Sequence, residues 1–248
     1  MKTETWHKII WLTIFSIAMG FLECAVVVYL RALLYPGGFH FPLVITISPQ
    51  IAKTEFLREF ATLLMLLGVG YLTGRNFAER FAGFIFGFAV WDIFYYIFLK
   101  LMLNWPDSFF TWDILFLIPV SWIGPVLAPV ILSCTMILLA WSIMYFSDKL
   151  VEVRINYAEW LLFAVGSVIV IISFTYDFVF FLLQHYSISD MMTLANTQAL
   201  YKLASRYVPV SFNWCLFFSG DVFLWVAVYL FVKRNRKLEL KDGIFRRD

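Results

Sequence analysis

The sequence predicts an all-α integral membrane protein, a bundle of six transmembrane helices, and three observations carry that prediction. Of the 248 residues, 62% are apolar and only 15% are charged, against roughly 45–50% and about 25% in soluble domains. Mean hydropathy is +0.82. Long apolar runs recur, each near the ~20 residues that a helix needs to cross a bilayer. The lipid bilayer is thus the first partner implied. A net charge of +2 argues against nucleic-acid binding, and six spans leave no room for a soluble catalytic or nucleotide-binding domain.

The runs place spans at about 9–30, 54–73, 81–103, 123–146, 159–183 and 209–232, with a basic tail over 233–248. Ile9–Leu30 is longer than a signal-peptide core and reads as a retained first span. Thirteen of the 19 Lys and Arg residues fall on the side of the termini, which predicts that both termini are cytoplasmic. In a bacterium the membrane would be the inner one. Cys24, Cys134 and Cys215 lie in apolar runs and read as small buried hydrophobes.

Some segments depart from plain helices. Ile114–Phe146 would be about 50 Å long as one helix, too long for one span. Pro119, Pro125 and Pro129 interrupt it. The expectation is a proline-broken helix, with Asp113–Ile118 as a half-helix at the outer face and a span from about Ile123. In the loop 184–208, Met192, Ala195, Ala199, Leu203 and Tyr207 share one helical face, predicting an amphipathic helix on the outer surface. Tyr35-Pro36-Gly37-Gly38 marks a turn. Gly83 and Gly87 form a close-packing pair, suited to the bundle or to a homo-oligomer. Trp11, Trp105, Trp112, Trp160 and Trp225 lie near span ends, as interfacial anchors do.

Ionisable residues inside spans cost about 2.5–3.5 kcal/mol on insertion scales and point to function. Asp92 and Asp221 fall near the middle of the third and sixth spans, with Glu23 and Asp177 in the outer halves of the first and fifth. Phe60–Thr73 covers only ~21 Å as a helix. The second span must therefore take in the preceding turn, which draws Glu55, Arg58 and Glu59 to the core edge on one face with Thr62. These acids outnumber the nearby bases Arg31, Arg58 and Lys100, so some hold protons, bind a cation, or bond hydroxyl groups. Lys100 reads as a snorkelling side chain. All these acids sit at the midplane or toward the outside, and the inner halves of the spans read as free of acids. The expected site is a polar pocket open to the outer face.

Other chemistry is disfavoured. His7, His40 and His185 all lie outside the spans, which excludes a bis-histidine haem between helices and leaves no cofactor implied. No phosphate-cradling glycine loop is present. Tyr176-Asp177 and Gly220-Asp221 resemble the aspartate pair of intramembrane aspartyl proteases of the presenilin and signal-peptide-peptidase type. Here the first Gly of the second motif is replaced by Phe218 and no Pro-Ala-Leu follows. Asp177 and Asp221 also sit at different depths, about 9 and 18 Å from their outer ends. Asp92 and Asp221 each occupy the third helix of a half, a placement that an inverted three-plus-three repeat would produce. The leading functional expectation is a small transporter-like or channel-like protein. Glu23, Asp92 and Asp221 would be its proton or cation sites, and Glu55, Arg58 and Glu59 its entrance. The alternatives are a non-catalytic subunit bound to other membrane subunits, and an intramembrane enzyme acting at the outer leaflet.

Overall fold

A computed structural model describes residues 1–43, 48–187, 189 and 202–245. It contains six helices long and apolar enough to cross a membrane: α1 (Thr3–Leu34), α2 (Pro49–Thr73), α3 (Phe77–Leu103), α4 (Leu127–Lys149), α5 (Tyr157–Leu183) and α6 (Trp214–Phe245). The chain is a multi-pass integral membrane protein. The helices outrun the apolar runs because polar residues cap them. Ser48 accepts from Ile51 N–H at 3.3 Å with Pro49 in the first turn, so α2 does take in the extra turn its length requires. Asn76 caps α3, and Asn156 with Glu159 forms a reciprocal capping box on α5. At the other end of α3, Asn104 takes the left-handed conformation at φ 51°. Lys100 reaches outward to the carbonyls of Asn104 (3.3 Å) and Pro106 (3.0 Å).

Packing is set by small residues. α3 lies between α1 and α2, α4 joins α3 to α6, and α5 packs on α6. Gly83 faces Gly70 and Thr73 of α2, while Gly87 faces Ser16 and Leu12 of α1. The Gly83/Gly87 pair therefore serves the bundle itself. Gly166 and Gly220 bring α5 and α6 together so closely that an added methyl at either would sit 2.8–2.9 Å from the other's carbonyl. The predicted turn at 35–38 is present, closed by Gly38 N–H on Tyr35 O at 2.9 Å, with Gly38 at φ +99°.

The segment before α4 corrects the sequence reading. Asp113–Ile118 is not a half-helix and α4 is not a broken helix. Instead β1 (Trp112–Phe116) and β2 (Trp122–Pro125) form an antiparallel hairpin with a bulge between Ile114 and Phe116. Trp112, Ile114, Phe116, Trp122 and Ile123 suit a pleated surface. Pro119 and Pro125 hold Ile118 and Gly124 out of helical geometry. Pro129 then falls in the first turn of α4, where proline is tolerated. Val126 N–H on Thr111 O (3.0 Å) and Leu127 N–H on Phe109 O (2.8 Å) close the base.

The hairpin folds back into the bundle. Phe116 stacks on Phe88 with centroids 6.0 Å apart and meets Trp91, both on α3. Trp122 stacks on Phe174 of α5 at 6.1 Å. Phe88 lies eleven residues along α3, about 17 Å from its start, so the tip descends toward the bilayer centre. Non-helical backbone is tolerated at that depth when protein surrounds it. Among the predicted anchors, Trp11 and Trp225 are exposed, but Trp105 is buried. Of the predicted outer amphipathic helix, 190–201 lie outside the described residues; Leu203 and Tyr207 are buried against Phe178, Leu182 and Ile123. The basic tail is helical through Phe245, a direct continuation of α6.

Candidate functional site

The spacing of Glu55, Arg58, Glu59 and Thr62 sets them along one face of α2, and the fold turns that face toward α1 and the hairpin. Arg58 Nη1 bonds Glu23 Oε1 on α1, and Arg58 Nε donates to Glu55 Oε2 at 2.9 Å. Thr62 donates its hydroxyl to the Arg58 carbonyl at 3.1 Å. Side-chain exposure is 21% for Arg58, 11% for Glu23 and 14% for Glu55, so the triad is not sealed from its surroundings. Glu59 is buried and accepts the backbone N–H of Leu117 at 2.8 Å, which gives the hairpin turn a partner on α2.

A second group forms where the hairpin meets α1 and α3. Asp113 is 3% exposed. Its carboxylate accepts from Arg31 Nη2 at 3.5 Å and from the Tyr96 hydroxyl at 3.2 Å. The Arg31 guanidinium lies 3.7 Å from the Trp105 ring centre and 4.6 Å from that of Phe39, a cation held by two aromatic faces. Burial pushes the Asp113 carboxyl up to about 6, against the downward pull of Arg31 and of its hydrogen bonds. Tyr95 lies within electrostatic range of both groups, Asp113 with Arg31 and Glu23 with Arg58. Asp92 is half-buried, feels the Asp113 charge, and accepts from Ser133 of α4 at 2.8 Å.

The other predicted residues lie elsewhere. Asp221 accepts from Thr135 of α4 at 3.1 Å. Asp177 accepts from the Tyr207 hydroxyl at 2.6 Å, tying α5 to the segment that leads into α6. Because Gly166 abuts Gly220, Asp177 stands eleven residues further along α5, about 16 Å from the level of Asp221. The two aspartates are therefore not brought together as a protease pair. A two-fold repeat that sets Asp92 against α4 would set Asp221 against α1. Both instead bond hydroxyls of α4, on its two sides.

Two charged residues escaped the sequence reading. Asp113 belongs to a buried strand rather than to a half-helix at the outer face, and its flanking Trp112 and Ile114 are the signal that could have shown it. The inner halves are not free of acids either: Glu159, 1% exposed at the start of α5, holds Arg234 through a two-point fork at 2.9 and 2.8 Å. The spacing Asn156-x-x-Glu159 could have flagged the capping box, but nothing local points to Arg234. Among the described residues, no three His, Cys, Asp or Glu side chains gather as a metal site. A small cavity of about 60 Å³ lies at the end of the termini, lined by Lys2, Glu4, Lys8, Arg75 and Asp148, away from these carboxylates. Comparison of the chain with known families, characterised proteins and solved structures finds no match.

Proposed function

We propose that this protein is a small transporter-like or channel-like membrane protein that handles protons, with a cation or polar solute as the coupled species. The observation that carries the reading is one of charge balance. Among the described residues, Glu23, Glu55, Glu59, Asp92 and Asp113 share a layer among α1, α2, α3 and the hairpin with two guanidinium groups, Arg31 and Arg58. An acid surplus inside a membrane is costly and calls for neutralisation by mobile charge. These carboxylates face arginine, hydroxyl and amide groups one by one, an arrangement better suited to passing a proton than to caging an ion. Glu23 and Asp92 are the proposed exchange sites, with Arg58 as counter-ion and Glu55 at the entrance.

The proposed orientation sets both termini in the cytoplasm, since basic residues concentrate at their end. The acid layer then opens to the opposite face. Cysteine substitutions at Glu55 and Lys53, in a background lacking the three native cysteines, should react with an impermeant thiol reagent from outside. Labelling only from the cytoplasmic side reverses the assignment.

Activity can be read in proteoliposomes loaded with a pH-sensitive dye, under an imposed potential and then under cation gradients. The expected result is a proton flux above that of empty vesicles, abolished by Glu23→Gln and by Asp92→Asn in folded protein. Asp221→Asn should retain it. A flux equal to that of empty vesicles, or one indifferent to both substitutions, overturns the reading.

A further inference from the structure

α6 changes character along one unbroken face. Its inner face is buried through Phe217, Asp221, Leu224, Val228, Phe231 and Asn235. On the opposite side Val222, Trp225, Val226 and Tyr229 are exposed, and in a bundle of this kind they face lipid. Carried on at helical spacing, that same lipid-facing stripe becomes Lys233, Arg236, Lys237 and Lys241, all of them exposed. Lys233 Nζ lies 5.4 Å from the Tyr229 ring centre, so the change falls at an aromatic of the kind found at membrane interfaces.

Distance along the helix fits the headgroup zone. About 20 residues from Trp214 exhaust a ~30 Å hydrocarbon core, which brings the chain to Lys233. Arg236 and Lys237 follow about 5–6 Å beyond, and Lys241 about 12 Å beyond, within a lysine stem and a Debye length of the surface. Two described acids close to this face are engaged elsewhere. Glu239 turns inward to the Tyr145 hydroxyl (3.5 Å) and Lys149 (4.0 Å), and Glu159 is taken by Arg234. Among the described residues, none of the four basic side chains has an acidic partner.

We propose that Lys233, Arg236, Lys237 and Lys241 form a binding stripe for anionic phospholipid headgroups of the surrounding leaflet. The side chains project over the lipid rather than above the protein, because they continue the face that lipid covers. Phosphodiester and free phosphate groups of the headgroups are the anions within reach, and each basic residue near the surface is worth roughly a fivefold gain in affinity.

The test uses the full-length protein, delipidated and titrated with phosphatidylglycerol or phosphatidylcholine under native mass spectrometry. Phosphatidylglycerol should bind at least tenfold more tightly. The combined variant Lys233→Gln, Arg236→Gln, Lys237→Gln, Lys241→Gln should lose that preference, whereas Lys53→Gln at the far end should keep it. Salt provides a check that needs no variant: the preference of the unaltered protein should collapse as ionic strength rises toward about 1 M, where the screening length is about 3 Å. Equal binding of the two lipids, or a preference that survives either the variant or salt, overturns the proposal. So does displacement of phosphatidylglycerol by an equimolar soluble polyanion, which would make the partner a soluble one.

Discussion

The Glu59 carboxylate accepts the backbone N–H of Leu117 at 2.8 Å, so a side chain of α2 satisfies the turn of a hairpin 58 residues later. The hairpin enters the bundle from the end opposite the termini, and its turn residues lie beyond the last strand pair, Phe116 with Trp122. Leu117 is half-buried, and an amide partly withdrawn from water is costly to leave without a partner. Glu59 therefore has a structural duty as well as a charge.

That duty separates two substitutions. Glu59→Gln keeps a carbonyl acceptor and should hold the hairpin, whereas Glu59→Ala leaves the Leu117 amide unpaired at a cost of about 1–3 kcal/mol. Hydrogen exchange of the protein in detergent micelles should show faster exchange at Leu117 in the alanine variant alone. Equal acceleration in both would mean that the carboxylate's charge, not its acceptor oxygen, secures the turn.

Asp113 gives a pH dependence whose sign is fixed. Its carboxyl lies at about 6 in the folded chain, above the ~3.9 of an unfolded aspartate. Between those values the folded state binds more protons, so this residue's contribution to stability rises as pH falls from about 7 toward 4. Arg31 and Tyr96 touch the group directly, and Asp92 and Tyr95 feel its charge. The difference in melting temperature between the unaltered protein and Asp113→Asn should move in the unaltered protein's favour on acidification. Movement in the opposite direction would mean that Arg31 holds the carboxyl low.

Close packing at Gly166 and Gly220 predicts a contrast among glycines. An added methyl at either position meets backbone or Val170 at 2.8–2.9 Å, while nothing lies within 4 Å of one added at Gly68. Gly220→Ala should lower stability by about 1–3 kcal/mol. Gly68→Ala should be neutral or gain up to about 1 kcal/mol from helix propensity. Thermal unfolding of the two variants in one detergent is a sufficient comparison, and equal melting temperatures would contradict the crossing geometry.

The six helices were legible in the sequence because each must present a long apolar run to lipid. The same signal hid the hairpin: residues 112–125 are as apolar as a span, and a strand surrounded by protein keeps no polar face to mark it. Glu55, Arg58 and Glu59 could be grouped because one helix sets their spacing. Their partners Glu23 and Leu117 come from other elements, so no spacing rule reaches them. Glu159 and Arg234 lie 75 positions apart, which is why an acid at the inner end went unread. Asp113 was missed for a related reason, since its depth depends on the hairpin that carries it.

Asp221 tests whether a carboxylate deep in the membrane serves the bundle or the flux. α4 receives one aspartate from each neighbour: Asp92 of α3 takes the Ser133 hydroxyl and Asp221 of α6 takes that of Thr135. Ser133 and Thr135 are two residues apart, so they point to opposite sides of the helix. Thr135 also lies 3.3 Å from the Ile131 carbonyl, and its single hydroxyl proton is shared between the two acceptors. Among the described residues Asp221 bonds neither Arg31 nor Arg58, the arginines of the acid layer, which makes it a clasp between α4 and α6. Thr135→Val should then cost about 0.6–1.7 kcal/mol, the range for interhelical hydrogen bonds in membranes, and Asp221→Asn should recover part of the clasp through its amide. Both variants should lower melting temperature while leaving the initial flux per folded molecule unchanged. Loss of flux at normal stability would instead move Asp221 into the proton path with Asp92.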